Sequence, residues 1–300
     1  MRVMNRLAIE GERPVLRVGV VGCGLMGSGI VQASALAGAT VVVCVLGEEA
    51  AIAASARVRA LMDSAATRRR ETPESREQAI DRITFTTLIS ALESCDIVLE
   101  ATPENEAIKR TVLMALDDVL GSRDVPVASN TSSLSIGRLA TATQHPERVV
   151  GLHFFNPVSL MQLVELTPSL HTSAEITDRA QSFAADFLGK TVVRVTDHPG
   201  FVVNALLIPY ILSAIRLCER QVASMEEIDV AMKLGCAHPM GPFSLADLIG
   251  LDTVQAIAES LYAESRESHH APPTPLLRLV DAGHLGRKTG KGFYEYGTRS

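Results

Sequence analysis

The sequence predicts an α/β domain built on a parallel sheet, followed by a second domain that is all-α. Over the first two thirds of the chain, short β-branched runs alternate with helix-compatible segments, the pattern of repeated βαβ units. After residue 198 the pattern becomes helix-rich without strand alternation. With 300 residues, 47% of them hydrophobic, the chain is long enough for about two domains. We therefore predict an extension over 1–16, an α/β domain over 17–198 and a helical domain over 199–300.

A glycine motif opens the α/β domain. Val18–Val21 predicts a short strand, Ser28–Ala37 a helix and Val41–Val45 a second, buried strand. Between the first strand and the helix lies a GxGxxG motif, formed by Gly22, Gly24, Leu25, Met26 and Gly27 around Cys23. In such a strand–turn–helix context the motif is typical of a Rossmann-type dinucleotide-binding domain, with the pyrophosphate at the helix N-terminus.

The end of the second strand lacks an expected acid. An Asp or Glu there usually binds the ribose hydroxyls of NAD, but this chain has Val45, and its next acids are Glu48 and Glu49. No arginine stands nearby in the sequence to accept the extra phosphate of NADP. We predict NAD as the cofactor without excluding NADP. The adenosine ribose is then bound weakly, or it is bound by Glu48, or the protein has changed its preferred cofactor.

Two segments further along supply polar groups for a ligand. A helix over Glu48–Ala66 is followed by the arginines Arg68–Arg70, which either clamp the phosphates of a large anionic substrate or form a solvated turn. A strand over Asp96–Ala101 leads to Glu104 and Lys109 near its carboxyl end, the edge of an α/β sheet where ligands bind.

The strand Val125–Ser129 delivers the hydroxyl-rich segment SNTSSLSI at the same edge of the predicted sheet. In that segment, Ser132 or Ser133 either caps a helix or offers a hydroxyl to a ligand.

A lone histidine and a lone glutamate lie in the apolar segment GLHFFNPVSLMQLVEL, at His153 and Glu165. A buried carboxylate that holds one imidazole nitrogen fixes the tautomer and lets the other nitrogen exchange a proton near neutral pH. The alternative is a core histidine beside a surface glutamate.

The helical domain begins with a segment that is apolar around nearly its whole circumference, Ala205–Cys218. Such a helix is buried in a core or across a subunit interface. The adjacent His269 and His270 lie in a polar loop, and we expect no metal site.

Composition excludes several classes of protein. The net charge of −6 and the pI near 5.8 argue against nucleic acid or an anionic membrane as the main partner. The 5 cysteines are scattered without a C-x-x-C pair, which favours reduced thiols in the cytoplasm. From the sequence we expect neither a bilayer-spanning apolar run nor a signal peptide.

The motifs GxGxMGxGI, SNTSSLSI, GLHFFNPV…LVEL, DxPGFVVN, AMKLGxxHPMGP and GRKTGKGFYEY occur in this order. Together they resemble the L-3-hydroxyacyl-CoA dehydrogenase family, including its short 3-hydroxybutyryl-CoA dehydrogenases. The resemblance extends from about Arg17 to Tyr296. It implies a Rossmann-type NAD domain, a helical dimerisation domain that forms a homodimer, and oxidation of a 3-hydroxyacyl-CoA to the 3-ketoacyl thioester.

The resemblance also implies roles for single residues. His153 corresponds to the catalytic histidine and Glu165 to the glutamate that orients it. Ser132 and Asn204 correspond to residues that hold substrate oxygens, and Arg68 to a basic residue that contacts coenzyme A. The implied cofactor contacts are Gly22, Gly24, Leu25, Met26, Gly27, Glu104, Lys109, Ser132, Asn156 and Lys288.

Three functional hypotheses follow. The first is a catabolic or storage-polymer 3-hydroxyacyl-CoA dehydrogenase, which we favour. The second keeps the reaction but changes the substrate to a hydroxyacyl group on an acyl carrier protein, or to a dicarboxylic acyl-CoA. The third is a non-catalytic dimeric relative that has lost cofactor binding. Val45 supports the third hypothesis, whereas His153, Glu165, Ser132 and Asn204 oppose it.

Overall fold

The computed structural model describes residues 15–69 and 72–297, with the side chains of 64–69 left out. Most of the predicted extension over 1–16 therefore lies outside the described residues. The fold class is confirmed, because a Rossmann-like sheet with crossover helices is followed by a helical region.

Eight strands form one sheet in the order β3-β2-β1-β4-β5-β6-β7-β8. The chain moves outward from β1 through β2 to β3 and then returns to pair β4 with the other side of β1. All pairs are parallel except β6–β7, which is antiparallel and was not foreseen in the sequence. The strands are β1 (Arg17–Val21), β2 (Thr40–Cys44), β3 (Ile83–Thr86), β4 (Ile97–Glu100), β5 (Val127–Ser129), β6 (Val149–Phe154), β7 (Leu163–Pro168) and β8 (Thr191–Arg194).

The helices cover the sheet and then form the second part of the chain. They are α1 (Leu25–Leu36), α2 (Glu48–Arg69), α3 (Pro73–Asp81), α4 (Glu106–Leu120), α5 (Ile136–Ala140), α6 (Ala174–Ser182), α7 (Val203–Glu219), α8 (Met225–Gly235), α9 (Pro242–Ile249), α10 (Leu251–Ser265) and α11 (Thr274–Asp281). The first helix begins at Leu25 rather than at the predicted Ser28, because the glycine motif itself forms the helix N-terminus and its first turn.

Local signals in the sequence explain where several helices begin. Thr72 accepts a hydrogen bond from the backbone N–H of Ser75 and precedes a proline at the first position of α3. Asn105 caps α4 in the same way, through the backbone N–H of Ile108. These side chains satisfy backbone donors that the helix itself leaves unpaired.

One helix is capped from far along the chain. The two carboxylate oxygens of Asp197 accept hydrogen bonds from the backbone N–H groups of Ile136 and Gly137, at 3.0 and 2.7 Å. A carboxylate there also compensates the positive end of the helix dipole of α5. No local sequence pattern predicts this long-range cap.

By its contacts the chain divides into two compact units, each with its own apolar core. The first comprises the described residues up to Thr131 together with Ile136–Asp197, and the second comprises Ser132–Ser135 with the described residues from His198 onward. The core of the first is made by β-branched strand residues and by α1. The core of the second is made by α7, α9, α10 and α11. Across the described segments, no helix combines the length and apolar character needed to cross a membrane.

Candidate functional site

The glycine turn after β1 has the geometry of a phosphate cradle. Gly22 has a φ of +87°, and an added Cβ there would come within 2.8 Å of the backbone oxygen of Ala101. At Gly27 a Cβ would be 2.1 Å from the Gly22 oxygen, so the close packing of turn and helix needs both glycines. At Gly24, by contrast, a Cβ would meet nothing within 4 Å. The space over Gly24 is thus open for a ligand, as a pyrophosphate requires.

The N-terminus of α1 is suited to the same ligand. Gly24 is its N-cap and provides no side-chain hydrogen bond, and the first turn contains no acidic residue. Leu25 is 64% exposed, and Met26 is partly buried. Unpaired N–H groups and the positive end of the helix dipole attract anions. Burial raises the pKa of the nearby Cys23 thiol to about 11, so this side chain stays neutral beside a phosphate.

The residue after β2 is apolar and partly buried. Val45 packs against the core of the first unit, and its backbone N–H donates to the Thr86 oxygen at 3.0 Å. The next side chain, Leu46, is 97% exposed, and Glu48 and Glu49 are exposed at the start of α2. The end of this strand thus has no carboxylate at the position where a ribose is usually bound.

An arginine from α2 lies against the glycine turn. A terminal guanidinium nitrogen of Arg57 donates a hydrogen bond of 2.6 Å to the backbone oxygen of Cys23. Sequence reasoning missed this residue because Arg57 is more than two helical turns beyond the end of β2. Only the packing of α2 on α1 brings it to the glycine motif.

A buried carboxylate organises the end of β4. Glu100 is 0% exposed and pairs in the sheet with Val21 on one side and Ser129 on the other. Its oxygens accept hydrogen bonds from the Lys109 ammonium group at 3.0 Å, from the Ser129 hydroxyl at 2.5 Å and from the Thr102 backbone N–H at 2.7 Å. Since β1 and β4 flank the point where the strand order reverses, this cluster lies where an α/β sheet binds its ligand.

Of the predicted cofactor contacts at this edge, Glu104 and Lys109 belong to the same cluster. Lys109 is fully buried, and besides Glu100 it contacts the Thr102 backbone oxygen at 3.2 Å and the Glu104 carboxylate at 3.8 Å. The side chain of Glu104 is 35% exposed and accepts a hydrogen bond of 2.7 Å from the Thr131 hydroxyl. Nothing in the local sequence marked Glu100, because its position inside an apolar strand resembles ordinary core.

His153 and Glu165 face each other on the antiparallel strands β6 and β7. The register pairs them directly, and His153 Nδ1 lies 2.8 Å from Glu165 Oε2. Both are buried, with 7% and 1% of their surface exposed. The ring of Phe155 lies 4.4 Å from the imidazole, centroid to centroid. A carboxylate bound to Nδ1 selects the tautomer that leaves Nε2 to exchange a proton with a ligand.

The strand that carries His153 is tied to the segment after β5. The side-chain oxygen of Asn130 accepts a hydrogen bond of 2.9 Å from the backbone N–H of Phe154. The end of β6 is therefore fixed from two sides, by Glu165 across the sheet and by Asn130. Asn156, a predicted cofactor contact, lies just beyond this strand end and is exposed.

In the second unit the structure brings Ser132 and Asn204 together. The Asn204 amide donates to the Ser132 backbone oxygen over a long 3.4 Å, and Asn204 is only 7% exposed. Lys288, another predicted cofactor contact, forms an ion pair with Asp252, with its ammonium 2.6 Å from one carboxylate oxygen. The side chain of Arg68, the predicted coenzyme A contact, lies outside the described residues.

Comparison with known proteins identifies relatives along nearly the whole chain. Residues 17–198 match the family described as 3-hydroxyacyl-CoA dehydrogenase, NAD binding domain, and residues 200–296 match its C-terminal domain. A 3-hydroxybutyryl-CoA dehydrogenase of Mycobacterium tuberculosis is 47% identical over 94% of this chain and 99% of its own length. The mitochondrial hydroxyacyl-coenzyme A dehydrogenase of Sus scrofa is 40% identical over 94% of this chain and 91% of its own.

Solved structures agree with this result. The crystal structure of (S)-3-hydroxybutyryl-CoA dehydrogenase from Ralstonia eutropha superposes with a TM-score of 0.88. It is 42% identical and covers 95% of this chain and all of that one.

Proposed function

The chain belongs to the 3-hydroxyacyl-CoA dehydrogenase family of oxidoreductases, and we propose that it interconverts short-chain L-3-hydroxyacyl-CoA and 3-ketoacyl-CoA thioesters. The substrate we propose is of the 3-hydroxybutyryl-CoA and acetoacetyl-CoA type. The observation that carries this proposal is the buried pair of His153 and Glu165, whose 2.8 Å contact suits a general base oriented by a carboxylate.

His153 handles the proton. In the oxidative direction its Nε2 accepts the proton of the C3 hydroxyl, and in the reductive direction it returns that proton. Glu165 holds Nδ1 and stabilises the positive charge that develops on the imidazole. Such a positioned acid–base group contributes roughly 10²–10⁴-fold to the rate. When bound, a nicotinamide cofactor would accept the hydride from C3, the carbon that carries this hydroxyl, or donate it to C3 in the reductive direction.

The glycine turn and the β1–β4 edge would hold the cofactor. The open space over Gly24 and the N-terminus of α1 fit a pyrophosphate. The remaining residues that we propose for the cofactor site are Leu25, Met26, Glu104, Lys109, Ser132, Asn156 and Lys288, with Lys109 acting through Glu104. Lys109 is fully buried, so its contribution is to fix Glu104 and the loop around it. We propose NAD as the cofactor, and the apolar Val45 supports weaker discrimination against NADP.

On the substrate side, we propose that Ser132 and Asn204 hold the C3 oxygen and the thioester oxygen. Arg68 is proposed to contact a phosphate of coenzyme A. Fixed dipoles and correct positioning of this kind lower the barrier without taking part in bond making.

We further propose that the protein is a homodimer built mainly from the second unit. One face of α7 supports this proposal, because Leu206 is 71% exposed and Leu217 is 42% exposed. Val202, just before the helix, is 45% exposed, and Val202, Leu206 and Leu217 recur at the spacing of one helical face. An exposed apolar stripe along a helix whose other face is buried in a core is typical of a contact surface.

We propose that the enzyme works in the cytoplasm. All five cysteines are free thiols, which suits a reducing compartment.

The test of the activity uses the purified protein with acetoacetyl-CoA and either NADH or NADPH, followed at the nicotinamide absorbance band. We expect the reduced cofactor to be oxidised only when the thioester is present, and we expect this oxidation to be lost in His153→Gln. Turnover only with an acyl carrier protein thioester or a dicarboxylic acyl-CoA would replace the proposed substrate. The absence of turnover with every thioester would indicate a non-catalytic relative.

A further inference from the structure

We propose that Arg57 binds a phosphate group in the adenylate half of the dinucleotide, and that this ionic contact replaces the missing ribose carboxylate at Val45. The proposal rests on the proposed function, since it assumes that the glycine turn holds a dinucleotide. It assigns a specificity role to a residue that neither the glycine motif nor the end of β2 contains.

One hydrogen bond positions the guanidinium, and a second, between backbone groups, positions the turn that it contacts. One nitrogen of Arg57 donates to the backbone oxygen of Cys23 at 2.6 Å. Cys23 stands between Gly22 and Gly24, and the Gly22 backbone N–H donates to the Cys44 oxygen at the end of β2, at 2.9 Å. Arg57 therefore lies where the glycine turn meets the end of β2. In a Rossmann domain the pyrophosphate lies on this turn and the adenosine ribose at this strand end.

The charge of Arg57 is not used elsewhere in the described part of the chain, where none of the ion pairs involves it. Its neighbours on the same helical hairpin differ in this respect. Arg59 pairs with Glu77 at 3.8 Å, and Arg76 pairs with Asp63 at 3.1 Å. A positive charge without a carboxylate partner at an anion-binding turn is available to a ligand.

The chemistry of the group fits a phosphate. A guanidinium has five N–H donors in a planar fork, and the bond to Cys23 uses one of them. Arg57 is exposed, so its other donors are accessible, and the fork matches two oxygens of a phosphate. The open space over Gly24, next to Cys23, leaves room for a phosphate beside the turn that Arg57 contacts.

A purely structural role would be a weak one. The Cys23 contact belongs to an exposed side chain, and a single hydrogen bond of that kind contributes little to folding, because it replaces hydrogen bonds to water. The contact serves better to hold the guanidinium in one orientation, so that less side-chain entropy is lost when the ligand binds.

The experiment compares Arg57→Met with Arg59→Met, a matched loss of charge on the same helix. Binding of NADH and NADPH to each protein is measured by titration calorimetry, with thermal unfolding as a check on the fold. We expect Arg57→Met to weaken at least one dinucleotide roughly ten- to a hundred-fold, because a hydrogen-bonded charge pair is lost. Arg59→Met should bind both as the unmodified protein does, and Arg57→Lys should recover part of the loss.

The pattern of the loss identifies the phosphate. An equal loss for NADH and NADPH assigns Arg57 to the pyrophosphate, and a loss confined to NADPH assigns it to the 2′-phosphate. Reduced nicotinamide mononucleotide, which lacks the adenylate half, should support the same turnover in Arg57→Met as in the unmodified protein.

Three outcomes would overturn the inference. One is unchanged affinity for both dinucleotides in Arg57→Met, and another is an equal loss in Arg59→Met. The third is a parallel fall in turnover with the mononucleotide, which would indicate a general disturbance of the turn. Failure of the unmodified protein to bind either dinucleotide would instead contradict the proposed function itself.

Discussion

At the scale of single residues, the proposed proton transfer rests on one side-chain contact inside the sheet. His153 and Glu165 are both buried, and Glu165 keeps an acceptor at 2.8 Å from Nδ1. An ionised carboxylate is costly to bury unless it is hydrogen-bonded. The buried position of Glu165 therefore fits the proposed role, in which its charge stabilises the imidazolium, better than it fits simple packing.

The first prediction concerns this pair. His153→Gln should lower kcat by about 10²–10⁴-fold, because the group that exchanges the hydroxyl proton is lost. The dissociation constant for NADH should change little, since His153 is not part of the glycine turn. Steady-state kinetics with acetoacetyl-CoA and a separate NADH titration measure the two quantities.

Two further variants test the same assignment. Glu165→Gln should also reduce kcat, because the imidazolium loses its counter-charge. His171→Gln changes an exposed histidine of the first unit and should leave kcat as it is. Near-normal turnover in His153→Gln would show that another group handles the proton.

The second prediction concerns Val45. In Val45→Asp the new carboxylate accepts the ribose hydroxyls in charge-assisted hydrogen bonds worth about 1.5–3 kcal/mol. NADH should therefore bind roughly ten- to a hundred-fold more tightly, at 1.4 kcal/mol per decade. NADPH should bind less tightly, because the carboxylate repels its extra phosphate. Fluorescence titration with both cofactors measures the change.

The competing explanation is that Glu48 reaches the ribose. In that case Val45→Asp gains little, and Glu48→Ala loses most of the affinity for NADH. Sub-micromolar NADH binding by the unmodified protein that survives Glu48→Ala would leave the role assigned to Val45 without support.

The sequence predicts the role of a single residue well where that role depends on its neighbours in the chain. The glycine motif is recognisable because each glycine meets a backbone constraint within the same turn. Arg57 and Asp197 were missed because each acts on a partner that is distant in sequence, so no spacing or periodicity reports it. Glu100 was missed because a single acid inside an apolar strand resembles ordinary core, and its bond to Ser129 crosses to another strand.

At the scale of secondary-structure elements, the carboxyl end of β4 is joined by buried hydrogen bonds to two neighbouring elements. Glu100 joins β4 to β5 through Ser129, and to α4 through Lys109. The loop between them starts at Ala101, against which Gly22 packs. The cluster thereby couples the glycine turn to the segment that carries Glu104.

The third prediction tests this cluster by chemical denaturation. Glu100→Gln should lower the free energy of unfolding by about 3–5 kcal/mol, because the buried Lys109 ammonium loses its buried counter-charge and keeps only the more distant, partly exposed Glu104 carboxylate at 3.8 Å. The double variant Glu100→Gln with Lys109→Met should be less destabilised than Glu100→Gln alone, since no unpaired charge remains.

An exposed pair provides the control. Asp178→Asn removes the partner of Arg194 on the surface, where ion pairs contribute about 0–1 kcal/mol. Equal losses in Asp178→Asn and Glu100→Gln would mean that the buried cluster has no special energetic role.

The sequence predicted which segments form strands and helices, but it did not predict which strands pair with each other. The apolar β-branched runs predicted β1, β2, β4 and β5, with ends that differ by a residue or two. The antiparallel pairing of β6 with β7 was not predicted, because a strand's partner depends on contacts across the whole chain. The helix predicted over Ala205–Cys218 exists as α7 and is buried on only one side.

At the scale of the whole molecule, the apolar residues of α7 divide between two tasks. Ile208, Ile211 and Leu212 are at most 1% exposed and form the core of the second unit. Leu206 and Leu217 point outward and supply the surface that we assign to a second copy of the chain. The sequence showed that the helix is apolar all round, but it could not separate the two faces.

The fourth prediction uses this division. Leu206→Asp should give a folded monomer, because a charge placed in an apolar contact surface is costly to bury. Ile211→Asp should instead destabilise the fold, since Ile211 lies in the protomer's own core. Sedimentation velocity and thermal unfolding distinguish the two results.

Leu170→Asp is the matched control, since Leu170 is fully exposed in the first unit and should tolerate the charge without a change in assembly. A well-folded monomer for the unmodified protein at micromolar concentration would contradict the proposed dimer.

The antiparallel pairing of β6 and β7 also separates the positions that must be kept for the acid–base pair from positions that can be substituted. Because directly opposite residues share one face, the register alone keeps His153 beside Glu165. Within the segment between the two strands, residues 155–162, the side chains of Leu160 and Met161 are exposed and take no part in that pairing, whereas Val158 packs in the core. The two exposed positions can therefore be redesigned while the acid–base pair stays in place. A single-residue insertion within either strand has no such latitude, since it turns one of the two side chains to the opposite face.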